Sequence, residues 1–211
     1  MSSAQPETPA LAAATAMFVE VLVVGIGFVT GLALLAAAAA GPETTTRAAP
    51  VAGSTPGAGA SLAAAYALGI LIDRVADKAL APVRRSLRQA SFSTDGAYAQ
   101  ARLTLAEQPT LVVLADYARS RMRICRGWIL NTVLLTLAGD LALLRYHVEH
   151  RPLLLTLTTA LGLALTAGFY LSWHTITATG YRKLAQQTMT VTTPAVPRQG
   201  NTAPTTPAPS G

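Results

Sequence analysis

The sequence predicts an all-α fold: a polytopic membrane protein built as a four-helix transmembrane bundle, with a helical, arginine-rich cytoplasmic excursion between helices 2 and 3. Of the 211 residues, 51% are hydrophobic and 12% are charged, whereas a soluble domain carries about 25% charged residues. About 20 apolar residues in a helix cross a hydrocarbon core of about 30 Å. Four runs are long enough, and they cover residues 11–40, 61–81, 128–145 and 152–174.

The first run is expected to be a retained helix and not a signal peptide. Residues 1–10 contain no Lys or Arg, and Glu20 interrupts the apolar stretch. The run is also longer than the apolar core of an ordinary signal peptide. The alanines at positions 36–40 before Gly41 resemble a cleavage site, so cleavage stays open as the alternative.

The distribution of basic residues predicts how the chain is threaded. Ten of the 16 Lys and Arg residues lie between Arg74 and Arg126. The positive-inside rule therefore predicts a plasma (inner) membrane protein with its middle segment and both termini in the cytoplasm. Trp128 and Trp173 would lie at the inner membrane surface and Tyr146 at the outer one. The remaining segments are predicted to be a cytoplasmic N-terminal tail (1–10), two outer loops (41–60 and 146–151), a cytoplasmic helical segment (82–127), a cytoplasmic extension of the fourth helix (175–187) and a disordered tail (188–211).

Composition separates the irregular segments from the helical ones. Residues 41–58 are rich in Gly, Pro, Thr and Ala and are expected to be irregular. The tail from residue 188 has almost no bulky side chains, so it is expected to be disordered. In the cytoplasmic segment, a turn is predicted at 93–96. A helix is predicted to start at Pro109 and to continue into the third span, over about 55 Å.

The arginines of the cytoplasmic segment are the first candidate functional feature. Arg119, Arg123 and Arg126 follow a spacing that puts them on one helix face, with Arg121 on the other side. Near an anionic membrane surface, each basic residue contributes about 1 kcal/mol of attraction. We expect these groups to bind anionic headgroups, a specific lipid such as cardiolipin, or an acidic partner. The candidate residues are Arg84, Arg85, Arg88, Arg119, Arg121, Arg123 and Arg126.

Ionisable residues inside the predicted spans are the second candidate feature. Charge in a span is costly and usually faces the bundle interior. One interpretation is that Arg74 and Lys78 satisfy Asp73 and Asp77 locally, and that the remaining acids are packing groups. The alternative is an ion or proton path. It would use Glu20 near the middle of the first run, Asp73 in the inner half of the second and Asp140 toward the outer end of the third.

Small residues and isolated metal-ligand types complete the candidates. Gly27 and Gly31 have a spacing that lets helices approach closely, in one chain or between copies. The cluster formed by His147, Glu149 and His150 lacks further ligands nearby in the sequence, so we expect no metal site and no cofactor. The single cysteine, Cys125, is expected to be an inert thiol.

Three functions follow as hypotheses. The leading one is a non-enzymatic membrane subunit or regulator whose arginine-rich helix docks a partner or anionic lipid, working as a homo-oligomer or in a larger complex. No nucleic acid is expected as a partner, because the positive charge lies beside membrane helices. The second is a small oligomeric ion channel or proton-coupled transporter. The third is an enzyme acting on lipid headgroups with Asp95 and Asp116.

Overall fold

The computed structural model describes residues 7–146 and 148–192, and this part of the chain is helical without a strand. The described residues form seven helices, which are α1 (Glu7–Ala40), α2 (Pro42–Ala52), α3 (Thr55–Ala79), α4 (Ala81–Ser91), α5 (Asp95–Ala106), α6 (Pro109–Arg145) and α7 (Arg151–Thr192). Four of them contain segments that are long and apolar enough to cross a membrane. These segments are Ala14–Ala40, Thr55–Ala79, Ala115–Arg145 and Arg151–Gln187. The predicted all-α class and the four long apolar helices are confirmed.

The other three long helices pack around α6. Helix α6 lies against α1 and α7 along most of their length, and α1 also packs on α3. Helices α1 and α6 run parallel, because successive contacts join Glu20 to Ser120 and Ala37 to Tyr146. Helices α3 and α7 run the opposite way. Both contact α6, but within the described residues they make no extensive contact with each other. A cleft floored by α6 therefore separates them.

The close contact between α1 and α3 requires glycine at two positions. A Cβ on Gly25 of α1 would lie 1.7 Å from the carbonyl oxygen of Ala65 in α3, and one on Gly69 would lie 2.2 Å from that of Val21. The predicted packing glycines lie on the α6 side of α1. A Cβ on Gly27 would lie 2.6 Å from Asn131 Nδ2. Small residues thus bring α1 against both neighbours.

Helix α6 starts at Pro109 and continues without a break to Arg145, as the sequence predicts. Its 37 residues extend over about 55 Å. Helix α7 is longer than expected and ends at Thr192. The first five residues of the predicted disordered tail therefore continue α7, because each added residue gains a hydrogen bond without a new nucleation step. The rest of that tail, residues 193–211, lies outside the described residues.

The sequence predicts an irregular segment at 41–58, and this prediction is wrong. It contains α2, whose first turn holds Pro42 and Glu43. The fixed φ angle of a proline and the negative charge of a glutamate are both favourable at a helix N-terminus. Ser54 then caps α3 by accepting a hydrogen bond from the backbone N–H of Gly57 at 3.2 Å. Helix α3 consequently starts six residues before the predicted position 61.

The short helices α4 and α5 fold back onto the far part of α7. Thr94 caps α5, accepting a hydrogen bond from the N–H of Ala97 at 3.1 Å. Phe92, Ala101 and Leu184 then form a small buried cluster. Around it, the Tyr98 ring makes edge-on contacts with Phe92 and Tyr181, at centroid distances of 5.3 and 5.9 Å. This cluster fixes α5 beside α7 at one end of the four long helices.

Candidate functional site

A network of charged side chains joins α3, α4 and α6 at the end where α5 packs. Arg126 of α6 forms ion pairs with both Asp73 and Asp77 of α3. Arg84 of α4 binds the same Asp77 oxygen. The Arg126 side chain is only 13% exposed, so this pairing is shielded from solvent. We call this end of the molecule the basic end, and the part beyond it the apolar half.

The expectation that Arg74 and Lys78 satisfy the two aspartates is wrong. Neighbouring positions on a helix point in different directions. Asp73 and Asp77 are four residues apart and both face α6, whereas Arg74 and Lys78 are exposed. In the part of the chain that the structure describes, neither Arg74 nor Lys78 forms an ion pair.

Glu20 lies at the basic end and not near the middle of a span. Its carboxylate accepts a hydrogen bond from the Ser120 hydroxyl of α6, and Ser120 precedes Arg126 by six residues. Residues 21–40 of α1 alone are about 30 Å long, which is enough to cross a hydrocarbon core. Residues 11–20 of the apolar run therefore extend α1 beyond the length that is needed to cross a hydrocarbon core.

Asp140 lies at the opposite end of the bundle. Thr159 of α7 donates a hydrogen bond to Asp140 Oδ2 at 2.8 Å, and Asp140 Oδ1 is buried with no partner among the described residues. Twenty residues of α6 separate Asp140 from Ser120, which is about 30 Å. The structure thus places Glu20 and Asp73 in one layer and Asp140 far from both.

Most arginines of the predicted docking face contact this chain's own side chains. Arg88 pairs with Asp95 at 3.1 Å and lies over the Tyr98 ring. Arg119 pairs with Asp116 at 2.8 Å, and Arg121 lies over the Tyr117 ring at 4.7 Å. With Arg84 and Arg126 already described, only Arg85 and Arg123 of the seven lack such a contact among the described residues. The predicted face is therefore smaller than the sequence suggests.

A cavity of about 1070 Å³ opens at the basic end and has two kinds of lining. Four basic side chains from four helices line it, together with the paired groups of the charged network. Apolar and aromatic side chains of α1, α3 and α7 form other parts of the wall, among them Met17, Phe18, Tyr66, Ile70, Trp173 and Ile176. The four basic residues are Arg74, Arg102, Arg123 and Lys183.

These four basic residues, which we call the free cations, have no acidic partner within the described parts of the chain. The carboxylates that line the cavity, Asp73 and Asp77, are already bound by Arg126 and Arg84. The cavity therefore has an excess of positive charge close to an apolar wall. A concave surface of one sign raises the local concentration of the opposite charge, so the cavity is built to attract anions.

Sequence reasoning identified only Arg123 of the free cations as part of a binding surface. Arg102 lies on α5 and Lys183 on α7, about 80 residues apart in the chain. They line the same cavity because the Phe92 cluster folds α5 onto α7. The sequence carries no local signal for that contact, since it depends on tertiary packing. One interpretation of the sequence pairs Arg74 with the neighbouring aspartates, but the described residues contain no ion pair of Arg74.

Other candidate chemistry is not brought together. Within residues 7–146 and 148–192, no group of three His, Cys, Asp or Glu side chains is placed to bind a metal ion, and His147 of the predicted cluster lies outside them. Asp95 and Asp116 pair with different arginines. Cys125 is a half-buried free thiol. No protein-family model, curated protein or solved structure matches this chain.

Proposed function

We propose that this chain is a non-enzymatic, four-span protein of the plasma (inner) membrane that binds anionic lipid at its basic end. In this proposal the basic end and both termini are cytoplasmic, because the positive-inside rule assigns Lys- and Arg-rich segments to that side. Four long apolar helices support the insertion. The protein acts as a membrane subunit or regulator whose state depends on the lipid it holds.

One observation carries this proposal, the cavity with free cations beside an apolar wall. A soluble anion would bind the cations alone, and the acyl chains of the bilayer would contact the apolar surface alone. An anionic lipid uses both, because its headgroup is charged and its chains are apolar. Trp173, which lines the cavity, is of a residue type that is enriched at the membrane–water interface.

The test counts lipid bound to the purified protein by native mass spectrometry, with phosphatidylglycerol as the probe. We compare the natural chain with a cavity variant, Arg102→Gln plus Arg123→Gln. Loss of two direct charge-assisted contacts to the headgroup, at about 1.5 kcal/mol each, should weaken retention about 100-fold. The matched control is Arg85→Gln plus Arg121→Gln, which removes the same charge at positions that do not line the cavity. These two side chains make no direct contact with a lipid in the cavity, so retention should change by about threefold at most. Equal retention by the two double variants contradicts the proposal.

A second candidate is an ion or proton path in a homo-oligomer or larger complex. The observation that favours it is a row of polar side chains between α6 and α7. Thr132 and Thr166 are hydrogen-bonded at 2.9 Å, and Asp140 lies further along with an unpartnered oxygen. Proton flux into liposomes should then fall in Asp140→Asn. Flux equal to that of empty liposomes, with protein shown to be inserted, removes this candidate.

A further inference from the structure

The charges lining the cavity indicate which headgroup it fits. The ion pairs of Arg84 and Arg126 with Asp77 and Asp73 account for both cavity carboxylates. Arg119 pairs with Asp116. The four free cations remain, so a ligand with a single negative charge would leave most of the excess uncompensated. A ligand with a higher charge density matches the cavity better.

The four free cations line the cavity from four different helices. Arg74 comes from α3, Arg102 from α5, Arg123 from α6 and Lys183 from α7, so a headgroup with several acceptor atoms can bind more than one of them. A terminal phosphate has three acceptor oxygens and carries a charge of about −1.5 to −2 near neutral pH. A phosphodiester in the middle of a headgroup has fewer free oxygens and a single charge. Guanidinium groups bind phosphate oxygens in a two-pronged geometry.

The apolar wall identifies the source of that phosphate as a lipid. Met17 and Phe18 of α1 are 55% and 47% exposed although they line the cavity. The Phe18 ring contacts Tyr66 of α3, with centroids 5.1 Å apart. These side chains continue onto the long apolar surfaces of α1 and α3, so an acyl chain can follow them from the cavity to the bilayer. A free phosphate or a soluble phosphate ester would leave this wall uncovered.

We infer that the cavity is a selective site for one lipid with a terminal phosphate monoester, such as phosphatidate, in preference to a phosphodiester lipid such as phosphatidylglycerol. This inference rests on the proposed function, anionic lipid binding at the basic end. The free cations bind the phosphate oxygens, and the wall formed by Met17, Phe18 and Tyr66 contacts an acyl chain.

The experiment is a competition between phosphatidate and phosphatidylglycerol of identical chains, mixed in equal amounts and counted on the full chain by native mass spectrometry. We expect at least a tenfold preference for phosphatidate. Arg102→Gln should reduce that preference at least threefold, and so should Lys183→Gln, which removes a cation from another helix. Arg85→Gln, outside the cavity, should leave the preference unchanged.

The outcomes separate this inference from the proposal it rests on. Binding of both lipids without preference overturns the phosphate-monoester inference and leaves anionic lipid binding intact. Binding of neither lipid overturns both. In a further arm, inorganic phosphate or glycerol 3-phosphate is added at millimolar concentration. Displacement of phosphatidate by either one shows that the phosphate alone is recognised and overturns the lipid source, whereas retention supports it.

Discussion

The apolar half and the basic end of this molecule are held together by different interactions. In the apolar half, helices touch through glycines, and Gly25 and Gly69 allow backbone contact between α1 and α3. At the basic end, ion pairs from Arg126 join α6 to α3, and the Phe92 cluster joins α5 to α7. The glycines keep α1 and α3 in direct contact, whereas the basic end leaves a charged cavity between its helices.

The two kinds of contact, close backbone packing and ion pairing, stabilise a protein in different surroundings. Between helices in lipid, close van der Waals packing replaces the hydrophobic effect as the source of association. In the proposed membrane arrangement the basic end lies at the membrane surface, where paired arginines would stabilise the fold and free ones would attract a headgroup. The basic end contains both kinds, and the predictions below separate them from the largest expected effect to the smallest.

The largest effect is expected from Gly25→Ala in the apolar half. The added Cβ would lie 1.7 Å from a backbone oxygen of α3, so α1 and α3 must move apart along their crossing. We expect a loss of at least about 3 kcal/mol of stability, the upper part of the range for overpacking. Thermal unfolding in detergent measures it. Gly168→Ala is the matched control, because its Cβ meets no atom within 4 Å. Equal stability of the two variants would contradict the packing account.

The second effect is expected from Arg126→Gln at the basic end. It leaves Asp73 and Asp77 without their shielded partner, and removing one member of a buried pair costs about 3 kcal/mol in the lower part of the known range. Adding Asp73→Asn to Arg126→Gln should restore part of the loss, since Asp77 keeps its pair with Arg84 and no uncompensated carboxylate remains. Chemical unfolding of the single and double variants tests this. A double variant that is less stable than the single one would refute the network.

The smallest effect is expected from Arg119→Gln. Its ion pair with Asp116 is exposed on both sides, and exposed pairs contribute about 0–1 kcal/mol. The midpoint of unfolding should therefore change little, in contrast to Arg126→Gln. A destabilisation as large as that of Arg126→Gln would contradict the prediction that an exposed ion pair contributes less to stability than a shielded one.

The sequence predicts individual helices better than the contacts between them. The start of α6 at Pro109 and its continuation to Arg145 follow from local signals, a proline suited to the first turn and a long run of helix formers. Local signals also explain the misjudged segment at 41–58. There, Pro42 and Glu43 favour a helix start more than the many Thr and Gly residues oppose it.

The charged network lay beyond sequence reasoning for a physical reason. Arg126 and Asp73 are 53 residues apart, and their pairing depends on the register between α3 and α6. Arg74 is the nearer cation in sequence, yet among the described residues it is exposed and forms no ion pair with either carboxylate. The cavity depends further on the fold of α5 onto α7, which brings Arg102 and Lys183 to one cavity wall. The residue pattern within one helix indicates neither the register between α3 and α6 nor the packing of α5 on α7.

The most direct test of the central claim is a structure of the full chain in a nanodisc that contains phosphatidate, determined by electron cryomicroscopy. The account predicts density for one lipid in the cavity, with its phosphate within hydrogen-bonding distance of at least two of the free cations and a chain along Met17 and Phe18. A cavity without lipid density, in a map that resolves lipids elsewhere around the helices, would contradict it.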